Sequence, residues 1–135
     1  MNDIEKEMLL KLPKIVDFRG NLSFLEENVH VPFAIRRCYW IYDVPGGEQR
    51  GGHAYFQNRE FIIALSGSFD VLVDNGVHRE IYHLNRSYYG LYIPNRLWRE
   101  LENFSTNSLA FVAASTDFND SDYIRSYDQY KEIVK

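Results

Sequence analysis

The chain has 135 residues and a formal net charge of −4, with 45% hydrophobic and 16% aromatic residues. That size predicts one domain, 1–135, with a real core; the acidic balance argues against a nucleic-acid partner, which would want a basic face. A single cysteine, Cys38, excludes an internal disulfide framework and fits a reducing compartment.

Residues 1–12 read as a loose or short helical lead-in stopped by Pro13. This segment mixes acids and bases and has no secretory apolar region. No apolar run is long enough to span a bilayer, so a cytoplasmic, membrane-free protein is expected. Lys14 to Phe18 and Leu22 to Glu26 are short strands around a turn at Gly20-Asn21. Phe33 to Val44 is rich in β-formers, and within it Cys38 reads as a small buried apolar residue. Pro45-Gly46-Gly47 breaks that run. Glu60 to Leu65 is a mostly apolar strand, and Phe69 to Val73 alternates. Asp74-Asn75-Gly76 signals a type I′ hairpin, with Val77 to Leu84 as the return strand. Tyr88 to Ile93, Leu97 to Leu101 and Leu109 to Ala114 are further strands. About ten short strands punctuated by turns predict an all-β sandwich or barrel. The tail, 117–135, has Ser121 as an N-cap and Tyr123, Tyr127 and Tyr130 at helical spacing. It predicts one C-terminal helix laid on the barrel.

The chemistry concentrates between Gly47 and Glu60. His53 follows Arg50-Gly51-Gly52, and glycines there let backbone approach a ligand closely. His30, His78 and His83 sit in a loop and a hairpin and read as surface or hydrogen-bonded histidines. His53 is the candidate general acid or base, because imidazole titrates near working pH. Tyr55, two residues on in a strand, shares its face. It is either a proton-relaying phenol or an aromatic wall of the barrel. Arg19, Arg37, Arg50, Arg59, Arg96 and Arg99 lie in strands and turns nearby. Guanidinium forks match phosphate oxygens, so an anionic substrate could draw on them, although solvated surface charge suits any single one as well.

The positions of Gly47, His53, Glu60 and Gly67 resemble the first signature of the cupins, with Tyr55 where a second histidine is usual. A cupin metal site usually takes two histidines and a glutamate there, plus a histidine from a second signature. That second stretch, Gly90 to Arg99, ends in a permanent cation that cannot ligate. His53 and Glu60 alone are too few ligands, so no metal is expected.

A narrower resemblance spans Val16 to Lys131. It rests on Asp17-x-Arg19-Gly20-x-Leu22, Glu26-Glu27-Asn28, Pro32-Phe33, Arg37-x-Tyr39, Tyr42-Asp43, Arg50-Gly51-x-His53-Ala54, Leu65-x-Gly67, Gly90-Leu91-Tyr92, Trp98-x-Glu100 and Asp122-Tyr123-Ile124-Arg125-x-Tyr127-Asp128. On these the chain resembles the WxcM-like sugar nucleotide 3,4-ketoisomerases. The resemblance implies a cupin fold, a double-stranded β-helix or jelly roll, in a homodimer that exchanges N-terminal strands. It implies a dTDP-linked keto-deoxy sugar as substrate, on the way to 3-amino sugars of surface glycans, and no cofactor. The keto group moves between C4 and C3 through an enediol. His53 falls at the family's catalytic histidine, with Tyr55 as its partner. Arg19, Arg37, Tyr39, Arg50, Trp98 and Arg99 are the implied substrate-binding residues. Family members carry histidines where this chain has Tyr55 and Arg99. Two other readings stay open: a silent cupin that binds a sugar nucleotide or glycan, and an accessory partner of a sugar-modifying transferase.

Overall fold

The computed structural model describes residues 4–135. Its strands are β1 (Met8–Lys11), β2 (Lys14–Ile15), β3 (Leu22–Ser23), β4 (Arg37–Tyr42), β5 (Arg50–Tyr55), β6 (Glu60–Ser66), β7 (Phe69–Asp74), β8 (Arg79–Leu84), β9 (Tyr89–Ile93), β10 (Trp98–Glu102), β11 (Leu109–Ala114) and β12 (Tyr123–Ile124), followed by one helix, α1 (Tyr127–Ile133). Two five-stranded sheets carry the fold, in the orders β1-β9-β6-β11-β4 and β12-β5-β10-β7-β8. Every named strand pair is antiparallel. This is the cupin jelly roll with a short C-terminal helix.

Side-chain alternation explains the layering. Ile62 and Ala64 of β6 face Phe69, Val71, Leu91, Leu101 and Val112 between the sheets. Phe61 and Ile63 of the same strand point the other way and pack under Leu12, Val31 and Phe33. β6 is therefore covered on both faces, which is why it reads as a nearly continuous apolar run. Gly90 of β9 lies so close to β6 that a Cβ there would sit 2.5 Å from the Ile62 carbonyl.

Four local expectations need correction. Of the anticipated lead-in, residues 1–3 lie outside the described residues, and Met8–Lys11 is a strand on β9 rather than helix. The edge of β9 offers unpaired backbone groups, and that overrides a weak local helical pattern. The β7–β8 hairpin forms, but its loop runs from Asn75 to His78, with the Asp74–Arg79 pair closing it. Asn75 Oδ1 accepts from the backbone N–H groups of Val77 and His78, so the wider loop is held by a side chain. Cys38 is exposed, because β4 is an edge strand whose Cys38, Trp40 and Tyr42 face outward. The tail helix starts at Tyr127 with Ser126 as its N-cap, not at Ser121. Tyr123 instead lies in β12, paired with β5. The buried Asp122 carboxylate accepts from the backbone N–H groups of Gln57 and Asn58, tying this segment to the β5–β6 turn.

Candidate active site

A cleft of about 630 Å³ opens between the edge strand β4 and strand β5 of the facing sheet. β4 turns Arg37, Tyr39 and Ile41 toward it, opposite the exposed Cys38 face. From β5 come Arg50, Gly52, His53 and Tyr55. The β5–β10 ladder shifts register between the Arg99–His53 and Leu101–Arg50 pairs. Glycines at 51 and 52 suit such an irregularity. Strand β5 has a neighbour on each side: β10 sets Arg99 beside His53, and β12 sets Tyr123 beside Tyr55.

The floor is an ion pair between the sheets. Glu60, at the start of β6, and Arg99 are each 1% exposed. Arg99 donates from Nε (3.0 Å) and Nη2 (2.8 Å) to Glu60 Oε1. Arg99 Nη2 also donates to the Tyr39 hydroxyl at 2.8 Å. The Tyr39 hydroxyl donates to Glu60 Oε2, and the Tyr55 hydroxyl donates to the same oxygen at 3.2 Å. His53 Nε2 lies 3.0 Å from the Tyr55 hydroxyl. Five residues from β4, β5, β6 and β10 thus form one connected network.

Burial works against the charge of Arg99, but Glu60 and the two phenols more than offset it, and the guanidinium holds its proton more tightly than usual. Burial and the Glu60 charge push both the Tyr39 and Tyr55 phenols up, so both keep their hydrogens. Burial, then the positive fields of Arg99, Arg125 and Arg37, pull the His53 imidazole down to about 2. His53 is therefore a neutral imidazole at working pH, packed edge-on against the rings of Tyr55 (4.8 Å) and Tyr123 (5.0 Å).

The rim differs. Arg37, Arg50, Arg125 and Phe118 line it. Arg125 pairs with Asp120 at 2.7 Å and lies over the Tyr123 ring. Arg37 lies near the rings of Tyr39 and Phe118, and its buried Nε has no hydrogen-bond partner among the described residues.

Of the residues picked from the sequence, His53, Tyr55, Arg37, Tyr39, Arg50 and Arg99 converge on this cleft. Trp98 does not line it: it is 4% exposed, packs with Ala54, Ile124 and Tyr130, and donates to Glu100. On β10 it faces away from Arg99, its neighbour in sequence, as strand alternation requires. Arg19 sits in the exposed turn between β2 and β3, bonded to Asp17, and does not line the cleft. Arg59 and Arg96 are not among the lining residues. Phe118, Tyr123 and Arg125 were missed as site residues. They enter because β12 pairs with β5, which no local pattern discloses. Glu60 was weighed only as a metal ligand. Among the described residues no group of three His, Cys, Asp or Glu could hold a metal. Glu60 is already engaged by a guanidinium and two phenols, a setting hostile to a second cation.

A jelly roll with a histidine in a cation-rimmed cleft is a cupin whose site can carry out proton transfer on an anionic ligand. The comparisons specify the family. The model for WxcM-like, C-terminal (FdtA) matches residues 5–135. A TDP-4-oxo-6-deoxy-alpha-D-glucose-3,4-oxoisomerase from Aneurinibacillus thermoaerophilus is 36% identical over 126 residues, covering 93% of this chain and 91% of its own. The structure of WlaRB, a TDP-quinovose 3,4-ketoisomerase from Campylobacter jejuni, superposes with a TM-score of 0.90 at 40% identity, covering 96% of this chain and 99% of that one. QdtA, a sugar 3,4-ketoisomerase from Thermoanaerobacterium thermosaccharolyticum crystallised with TDP, gives a TM-score of 0.93 at 33% identity over 95% and 93% of the two chains. The chain belongs to the WxcM-like family of sugar nucleotide 3,4-ketoisomerases.

Proposed function

We propose that this cleft isomerises a TDP-linked 4-keto-6-deoxyhexose to its 3-keto isomer, with His53 as the base. The observation that carries the reading is a neutral imidazole in a cleft that also presents Arg37, Arg50, Arg99 and Arg125. The rim arginines suit a diphosphate, and the exposed ring of Phe118 suits a pyrimidine base.

His53 removes the proton from C3, which the C4 ketone acidifies. The C3–H electron pair becomes the C3–C4 double bond, and the C4 oxygen takes up the carbonyl electrons. Arg99, at the floor, adds positive field where that oxygen's charge develops. The enediolate then collapses: the O3 hydrogen passes to the C4 oxygen, which ends as a hydroxyl, the O3–H electron pair forms the C3 ketone, and the C3–C4 π pair takes up a proton at C4 from the imidazolium, whose proton exchanges with solvent. Atoms and electrons balance with no cofactor. An isolated imidazole of such low proton affinity is a weak base. A bound diphosphate beside Arg37 and Arg125 offsets part of the field that lowers it, so substrate strengthens the base it needs.

The same reading makes the protein a homodimer with exchanged N-terminal segments. Supporting it, Met8, Leu9, Ile15, Val16 and Phe18 leave large apolar side chains exposed along that segment. Arg19 would then meet substrate from the second copy. A cytoplasmic location, where an exposed thiol such as Cys38 stays reduced, fits the reading. Among the described residues no helix is long and apolar enough to cross a membrane.

The test is to follow TDP-4-keto-6-deoxyglucose by NMR in deuterated water. The 3-keto product with deuterium at C4 is expected. Tight TDP binding with no isomerisation would mark a silent binder instead.

A further inference from the structure

The hydrogen-bond directions in the cleft floor leave little choice. Glu60 is ion-paired with Arg99, and a carboxylate accepts but never donates. Its Oε2 faces the hydroxyls of both Tyr39 and Tyr55. Each phenol has a single hydrogen, so both are committed to Glu60. The Tyr39 oxygen in turn accepts from Arg99 Nη2. The Tyr55 oxygen keeps acceptor capacity only, and His53 Nε2 stands 3.0 Å away.

The opposite arrangement has Tyr55 donating to His53. It would turn a phenol lone pair toward a carboxylate oxygen at 3.2 Å, where Tyr55 is 4% and Glu60 1% exposed. In so dry a site that contact is costly. The Tyr123 hydroxyl is another neighbour of Tyr55, but a neutral phenol accepts less strongly than a carboxylate.

We infer that Glu60, acting through Tyr55, is a positioning residue that holds His53 as the Nε2–H tautomer and so makes Nδ1 the atom that takes the substrate proton. His53 Nδ1 makes no hydrogen bond to any described residue, which leaves it for substrate. On this inference Tyr55 does not itself relay a proton: its hydrogen serves Glu60, and its oxygen orients the base. The role of Nδ1 rests on the isomerase reading; the tautomer does not.

The test is NMR of the whole protein carrying nitrogen-labelled histidine, read beside steady-state kinetics. The wild type is expected to show His53 as Nε2–H, with that proton protected from exchange. Tyr55→Phe should lose the protected signal and lower kcat about 10²-fold, with TDP affinity within a few-fold. Glu60→Gln offers an N–H to the Tyr55 oxygen, turns the Tyr55 hydrogen toward Nε2, and should flip His53 to Nδ1–H. Should Glu60→Gln fail to fold because Arg99 loses its counter-charge, the wild-type spectrum and Tyr55→Phe decide. An Nδ1–H tautomer in the wild type overturns the inference. So does a Tyr55→Phe variant that keeps both the protected Nε2–H signal and wild-type kcat. A protected Nε2–H tautomer without turnover would sustain the positioning role and refute the isomerase reading instead.

Discussion

The floor and the rim of the cleft contain similar residue types and treat them oppositely. On the floor, Arg99 and Glu60 are almost fully buried, and their charges are spent on each other and on two phenols. At the rim, Arg125 keeps more than half of its side chain exposed and holds one carboxylate at the surface. A buried cation with a complete set of partners is a fixed structural field. A partly solvated cation beside an aromatic ring can exchange its partner for a ligand at small cost. The difference teaches that an arginine count says little about binding until each guanidinium's partners are known.

The comparison breaks most sharply at Arg99. Arg99→Leu leaves Glu60 as a buried, unpaired charge and should lower unfolding stability by about 3–5 kcal/mol. Urea denaturation measures it; a loss under 1 kcal/mol would mean that the floor is not held by this pair. His53→Asn comes next. The fold should stay intact by circular dichroism while turnover falls by about 10²–10⁴-fold. At the rim, Arg125→Ala should weaken TDP binding about tenfold by calorimetry, with stability changed by no more than about 0.5 kcal/mol. Its affinity should also depend less on salt than the wild type's. Equal damage to stability would erase the distinction between floor and rim.

A further effect lies in the pH dependence of folding. His53 binds its proton far less well folded, at about 2, than the ordinary 6.5 of the unfolded chain. Below about pH 6.5 the unfolded state therefore holds more protons, and stability falls as pH falls. His53→Asn should remove that part of the slope, no more than about 1.4 kcal/mol per pH unit. Identical slopes in wild type and variant would show that His53 is not held neutral by its surroundings.

Much of the strand order was readable because turn residues mark it. Gly67 adopts φ +66 at the β6–β7 turn, between the two stretches that read as strands. Leu109 to Ala114 is the observed β11 without a change of boundary. Two of the misreadings share a cause: the deciding contact comes from far along the chain. Met8–Lys11 is a strand because β9 is there to pair with it. Tyr123 sits at helical spacing from Tyr127 and Tyr130, yet β5 captures it. In the site, His53 stood out because glycines precede it. Arg99 was noticed as a missing metal ligand, but its partner Glu60 lies 39 residues away on the opposite sheet. Trp98 entered as a binding residue through the family resemblance, and alternation along β10 sends it to the face opposite Arg99.

The central claim is that His53 moves the proton between C3 and C4 in a cleft whose rim holds the nucleotide. Deuterium exchange at C3 of TDP-4-keto-6-deoxyglucose, measured beside calorimetric TDP affinity in wild type and His53→Asn, tests it most directly. The account predicts rapid exchange in the wild type, and in the variant an exchange rate lower by at least about 10²-fold at unchanged TDP affinity. Exchange in His53→Asn within a few-fold of the wild type would contradict it.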